Sequence, residues 1–224
     1  MKFTGPIYRP PIEANTPLLQ VTVGCAHNNC KFCTMYKEVQ FTIENLEQIE
    51  KDLKETKHIY GDIKRIFLVN GDAFVLNANR LKNIAKLILK HFPNMETITM
   101  FASIRNVIGK TDAELQELYD LKINELWIGL ETGKKETLDY MNKGFSLEQS
   151  YEQLERLNKA RIKHNGIYML GASGTGKGIE SATLSAKLIN ITKPQLVGVA
   201  PLDFGEKVNY LKRLGKENLF QLRN

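Results

Sequence analysis

Residues 17–36 read PLLQVTVGCAHNNCKFCTMY. Leu18 to Gly24 is a short apolar run ending in glycine, which reads as a buried strand. It runs directly into a polar loop holding Cys25, Cys30 and Cys33, the only three cysteines of the 224 residues. An odd number of thiols in one short loop argues against a disulfide framework. Three thiolates within nine residues can instead hold one metal centre, and soft sulfur ligands favour an iron–sulfur cluster or zinc. Structural zinc takes four protein ligands, and His27 is the nearby fourth. With three ligands only, a cubane cluster keeps one iron open. Cysteines merely packed in a core would not be flanked by His, Asn and Lys.

Outward from this loop the chain alternates. Asn45 to Lys57 has apolar residues at helical spacing and reads as a surface helix. Ile63 to Val69 is a second strand, ending at Asn70-Gly71-Asp72, and Ala78 to Phe92 a helix with Leu81, Ile84, Leu87 and Ile88 on one face. Thr97 to Ala102 is a third strand ending at Ser103. Thr111 then caps a helix from Asp112 to Leu121. Ile123 to Leu130 is a fourth strand. Helical stretches follow over Glu136 to Met141 and, capped by Ser146, over Leu147 to Arg161. Gly166 to Leu170 is a fifth strand, Ile179 to Ile191 a helix, Gln195 to Ala200 a sixth strand, and Glu206 to Leu214 a last helix.

Six strand–helix units in succession, with nearly continuous apolar strands, imply a parallel sheet covered on both faces. An open doubly wound sheet and an incomplete barrel both satisfy that pattern. In both, chemistry collects at the C-terminal ends of the strands. Those ends are Gly24-Cys25, Asn70-Gly71-Asp72, Ser103, Glu131-Thr132-Gly133, Gly171-Ala172-Ser173 and Asp203. No linker-like composition break divides the chain. It reads as one domain over 1–224, with about 1–16 as an N-terminal extension and 205–224 as a short tail.

A hydrophobic share of 42% with 25% charged residues is ordinary for a soluble globular protein. No apolar run is long enough to span a bilayer, and residues 1–11 lack the pattern of a signal peptide, which points to the cytoplasm. The net charge of +6 is spread over several helices; it permits nucleic acid without indicating it.

The cysteine loop resembles that of the radical S-adenosylmethionine (SAM) superfamily. The usual spacing there is three residues, then two; here it is four, then two, as in one branch of the superfamily. Phe32, the aromatic before the last cysteine, is also a family feature. Later strand ends match in order. Asn70-Gly71-Asp72 lies where the family has a Gly-Gly-Glu-type turn that binds the amino group of the methionine moiety. Ser103, with Arg105 just beyond, falls where a ribose or carboxylate contact is placed. Residues 128–133, IGLETG, with Leu138, Met141, Lys143 and Gly144, resemble the fourth-strand stretch of the coproporphyrinogen-oxidase-like and Elongator-like branches. Glu131 is then a candidate for the ribose hydroxyls or the methionine end. The fifth strand, through Leu170, would pack on adenine.

The resemblance implies a partial (β/α)6 barrel of TIM type and a [4Fe-4S] cluster on Cys25, Cys30 and Cys33. It also implies SAM as cofactor, and an external electron donor such as flavodoxin or ferredoxin. The substrate it suggests is a small molecule undergoing lyase or rearrangement chemistry, a modified base such as queuine being one example. Tyr36, Phe74, Tyr168 and Asp203 are candidate substrate contacts. The catalytic acid or base is not readable from the sequence. An RNA-modifying enzyme of the same superfamily is one alternative. A zinc-stabilised binding protein using Cys25, His27, Cys30 and Cys33 is another.

Two motifs lead elsewhere. GASGTGKG, residues 171–178, is one residue from a phosphate-binding loop, but Gly178 stands where the magnesium-binding Ser or Thr belongs. The four histidines are scattered, and none pairs with another at metal-binding helical spacing.

Overall fold

A parallel sheet of six strands organises the computed structural model, which describes residues 1–202. In chain order the elements are β1 (Leu18–Gln20), β2 (Thr22–Val23), β3 (Thr42–Ile43), α1 (Leu46–Tyr60), β4 (Arg65–Val69), α2 (Ala78–His91), β5 (Thr97–Ala102) and α3 (Ile104–Ile108). Then come α4 (Asp112–Asp120), β6 (Ile123–Glu131), α5 (Lys135–Met141), α6 (Leu147–Lys159), β7 (Lys163–Leu170), α7 (Gly178–Thr192) and β8 (Leu196–Pro201). The sheet order is β1-β4-β5-β6-β7-β8, with every neighbouring pair parallel. Sequential strands lie side by side, as strand–helix–strand units require. β1 and β8 do not pair, so the sheet stays open among the described residues, a partial barrel in element order.

Three elements differ from the sequence expectation. The run Leu18 to Gly24 is two strands: after β1 the chain turns at Val21, and β2 pairs antiparallel with the short β3 in a separate ribbon. α3 is a five-residue helix that begins directly after β5. β7 begins at Lys163, three residues before the expected start, because Lys163, His164 and Asn165 pair with β6 and β8 despite their polarity. The expected helix over Glu206 to Leu214 lies outside the described residues.

Strand alternation divides the core. Ile66, Leu68, Ile98, Met100, Leu126 and Ile128 point to the helices and join the fully buried faces of α1, α2 and α6 in one cluster. Phe67, Val69 and Trp127 point to the inner face, with Phe101 and Ile167 beside them. At the N-terminal end of that face the 3-10 turn Pro11–Glu13 closes the floor. Its Glu13, 1% exposed, takes Arg65 Nε at 3.0 Å, a close contact from Arg65 Nη2, and Trp127 Nε1–H at 3.2 Å. Arg65 also donates to both oxygens of Glu125, at 2.8 and 3.0 Å. Buried charges persist only when paired and hydrogen-bonded, and both carboxylates share this guanidinium. An ionic layer therefore underlies the N-terminal end of the inner face, and the open end is the C-terminal one.

Helix starts follow local chemistry. Thr111 and Ser146 each form a reciprocal capping box, with Glu114 and Gln149. Asn45 and Asn77 cap α1 and α2 by accepting from the backbone N–H three residues on.

Candidate active site

At the C-terminal end of the inner face lies a cavity of about 180 Å³. Cys25, Cys30 and Cys33 form one wall, half-buried and free of disulfides. The floor is Trp127, Phe101 and Ile167, and the rim includes Asp72, Ser103, Glu131 and Lys143.

The first joint of the site is a glycine. Gly71 N–H donates to Gly24 O at 3.0 Å, tying the end of β4 to the start of the cysteine loop. A Cβ on Gly71 would stand 2.8 Å from Cys25 Cβ and 2.8 Å from Tyr36 Cε2, so only glycine fits there. Tyr36, 2% exposed, stacks edge-on against Tyr8 at 5.5 Å and backs the loop. Asn70 takes a positive φ of 88° and turns its side chain away from the cavity, donating to Thr22 O at 2.7 Å. It holds the turn between β1 and β2 instead of facing a ligand.

Asp72 is 4% exposed. Its Oδ2 accepts a close contact from Asn106 Nδ2, and its Oδ1 has no partner. Burial pushes its pKa up to about 7, although the cations of Arg105, Lys110 and Lys143 and the Ser103 backbone N–H pull the other way. Lys110 braces this corner from the connection between α3 and α4, donating to Phe74 O at 2.8 Å and Asn106 O at 3.2 Å.

Across the cavity, Glu131 and Lys143 form a close ion pair with both side chains buried. Gly129 makes room for it: a Cβ there would fall 2.4 Å from Glu131 Oε1 and 2.7 Å from Lys143 Nζ. The ammonium sits 5.6 Å from the Phe32 ring centroid and 5.8 Å from that of Phe145. Burial opposes the Lys143 charge, but Glu131 and the neighbouring Cys30 and Cys33 thiols outweigh it and raise the pKa.

The thiols suit a soft, positively charged centre. Burial drives the Cys30 pKa up to about 11 despite Lys143, with Cys33, Cys25 and Glu131 adding to the rise; burial also raises that of Cys33. A metal centre that displaces the thiol protons relieves this stress. Three thiols suffice for a cubane with one open iron, whereas structural zinc takes a fourth protein ligand. His27 is not free to serve as that ligand. His27 Nε2 lies 2.7 Å from Asn142 O and therefore carries the proton; Nδ1 then accepts from Arg105 Nη1 at 3.0 Å. Both ring nitrogens are spent, which removes the three-cysteine, one-histidine reading.

The cavity thus gathers Cys25, Cys30, Cys33, Phe32, Tyr36, Gly71, Asp72, Ser103 and Glu131. Arg105 sits just behind it, on His27. Other expected positions lie elsewhere. Phe74 is fully buried in the 3-10 turn Ala73–Val75, with Lys110 Nζ 4.0 Å from its ring centroid. Tyr168 points to the helices, because alternation turns its neighbour Ile167 inward; it is 5% exposed in the main core. Leu170 is 59% exposed at the end of β7, away from the cavity lining. Asp203 lies outside the described residues. Sequence reasoning named His27 only as a zinc ligand and Lys143 only within the family-like stretch, and it missed Trp127; all three line the cavity. Only the position of Trp127 on the strand before Glu131 signalled it.

A parallel strand–helix sheet with three thiolates and facing acidic and basic groups at one mouth defines a cofactor-dependent α/β enzyme class. The radical SAM superfamily model matches residues 19–177, and the chain belongs to that superfamily. Its cofactors are accordingly a [4Fe-4S] cluster and SAM. Among solved structures the chain is similar to coproporphyrinogen III oxidase (HemN) from Escherichia coli. That match has a TM-score of 0.68 and 17% identity, covering 92% of this chain and 49% of the other. Methylornithine synthase (PylB) matches with a TM-score of 0.63 and 16% identity, over 84% of this chain and 53% of that one. The methyltransferase TsrM from Kitasatospora setae, solved with cobalamin and a [4Fe-4S] cluster, matches with a TM-score of 0.65 and 12% identity, over 83% and 36%. The chain thus spans about half or less of the length of these structures, and the likeness shows the fold. A search of curated proteins finds no match. Among the described residues no helix is long and apolar enough to cross a membrane.

Proposed function

We propose that the enzyme acts on one small, largely uncharged molecule in a lyase or rearrangement reaction begun by hydrogen abstraction. The observation that carries this reading is the chemistry of the cavity. The thiols, Asp72 and the Glu131–Lys143 pair line its mouth, and its floor is apolar. The bound cofactors supply a 5′-deoxyadenosyl radical by reductive cleavage of SAM, with electrons from an external donor.

The chain's own groups do the rest. Cys25, Cys30 and Cys33 would hold the cluster, leaving one iron for the cofactor. Asp72 lines the cavity, where its carboxylate can accept from the methionine ammonium, and Asn106 fixes one of its oxygens. Glu131 and Lys143 offer opposite charges to the polar end of the cofactor, and Phe32 shields them. Ser103 faces the same cavity from the end of β5. Below, Trp127 has its N–H committed to Glu13 and offers only its ring, with Phe101 and Ile167 alongside. That floor suits a planar ring, of which a modified nucleobase such as queuine is one example. Beneath that floor the Arg65 guanidinium is held by Glu13 and Glu125, so it presents no free cation to anchor a substrate carboxylate.

Deuterium transfer tests the proposal. Candidate planar substrates labelled at carbon are incubated with the reduced enzyme and SAM, and deuterium is sought in 5′-deoxyadenosine. Label transfer with a cleaved or rearranged product supports the reading. A methylated or sulfur-inserted product would contradict it.

A further inference from the structure

The loop between Cys25 and Cys30 is one residue longer than the usual family spacing, and it does not stand alone. Its outer arm is stitched to the turn that ends α5. His27 Nε2–H donates to Asn142 O at 2.7 Å. Asn142 Nδ2 donates to Asn29 O at 3.0 Å, and Lys31 N–H to Met141 O at 3.0 Å. Three hydrogen bonds therefore join residues 27–31 to two residues more than a hundred positions away in the chain.

The turn is shaped for this task. Asn142 is the C-cap of α5 in the left-handed region, with φ 55° and ψ 50°, a conformation that asparagine tolerates better than most residues. Gly144 follows with φ 79°, and a Cβ there would meet His27 Cε1 at 3.1 Å and Arg105 Cδ at 3.4 Å. The imidazole lies against this glycine. Its second nitrogen accepts from Arg105 at 3.0 Å, which brings α3 into the same joint. Between Asn142 and Gly144 stands Lys143, whose ammonium enters the cavity to pair with Glu131.

We propose that the turn Met141–Gly144 is a clamp for the cysteine loop, and that His27 and Asn142 are positioning residues for the cluster. The clamp sets the separation of Cys25 and Cys30 from outside the loop. It also fixes the loop to the segment that carries Lys143, so the cluster side and the Glu131 side of the cavity move as one body. His27 thereby has a role without ligating metal. The inference rests on the cluster reading of the preceding section.

The test uses the reconstituted holoenzyme under anaerobic conditions. His27→Phe keeps a ring and removes both hydrogen bonds. Asn142→Gly keeps the left-handed turn and removes the donor to Asn29. His27→Gln retains an N–H able to reach Asn142 O. Iron release to a ferrous chelator is followed, together with the electron paramagnetic resonance signal of the reduced cluster before and after SAM is added. Circular dichroism checks that the helices are intact.

H27F and N142G should each release iron several-fold faster than wild type, and the double variant more than about tenfold faster, the effect of losing two, one and three modest hydrogen bonds respectively. Their resonance lines should broaden, and H27Q should track the wild type. Wild-type release rates and line shapes in the double variant overturn the inference. So does equal acceleration in H27Q and H27F, which would make the hydrogen bond irrelevant. A wild-type chain that takes up no cluster overturns the parent reading and the inference together, and that failure is seen before any variant is compared.

Discussion

Replacing Gly71 with alanine inserts one methyl group where two parts of the active site meet. The new Cβ would lie 2.8 Å from Cys25 Cβ and 2.8 Å from Tyr36 Cε2, and 3.0 Å from Tyr36 Cδ2. None of these is the loose end of a flexible chain. Tyr36 is 2% exposed and braced by Tyr8, and Cys25 Cβ is one bond from the backbone. The strain must therefore move the cysteine loop away from β4 or stretch the Gly71 N–H to Gly24 O bond of 3.0 Å. Overpacking of this kind costs about 2 kcal/mol. For a chain of this size that lowers Tm by about 5 °C. Displacement of Cys25 also reduces the iron bound per chain. Gly178→Ala is the control, because nothing lies within 4 Å of its Cβ and the position opens α7, where alanine is the better helix former. Thermal unfolding and iron content after reconstitution are the assays. A Gly71→Ala protein with wild-type Tm and full iron would refute the claim that close approach at Gly71 sets the loop.

Arg65→Met leaves the buried Glu13 and Glu125 carboxylates without their shared cation and should destabilise the chain by about 3 kcal/mol in urea titrations at pH 7. Burial raises the Glu13 pKa, but bonds from Arg65, Thr16 and Trp127 outweigh it and hold it low. Its contribution is thus present above the unfolded carboxylate pKa and lost as pH falls through the folded one, so the wild-type advantage should shrink in acid. His164 is buried with Nε2 unpartnered and its pKa pushed down to about 4. The unfolded chain binds the extra proton between about pH 6.5 and 4. Stability should be full above that window and fall through it by about 3 kcal/mol, and His164→Leu should flatten the slope. Glu131→Gln strands the Lys143 ammonium in a buried position and should cost about 3 kcal/mol, much of it regained in the double variant with Lys143→Met. A neutral Glu131→Gln would count against the pair.

The alternation of apolar strands and amphipathic helices made the parallel sheet legible, and Thr111-x-x-Glu114 and Ser146-x-x-Gln149 marked two helix starts by their capping chemistry. β2 and β3 were hidden, because two-residue strands with an exposed partner such as Thr42–Ile43 carry no periodicity. The start of β7 was hidden by the polar residues Lys163, His164 and Asn165. Asn165 is buried on the inner face as a donor to Glu125, and His164 is buried on the helix side. At the site, thiols and strand-end residues were readable from spacing and from family resemblance. Aromatic residues were not: Phe74 and Tyr168 are core, whereas Trp127 and Phe101 face the cavity, and only strand parity and the turn after Asp72 separate them. The bond from His27 to Asn142 spans 115 positions, a separation that no local pattern encodes.

Reconstitution with iron and sulfide, followed by dithionite and SAM and an assay for 5′-deoxyadenosine, tests the central claim most directly. About four irons per chain, and deoxyadenosine formed by the wild type but not by variants lacking Cys25, Cys30 or Cys33, is the predicted result. Retention of zinc with intact SAM would contradict it.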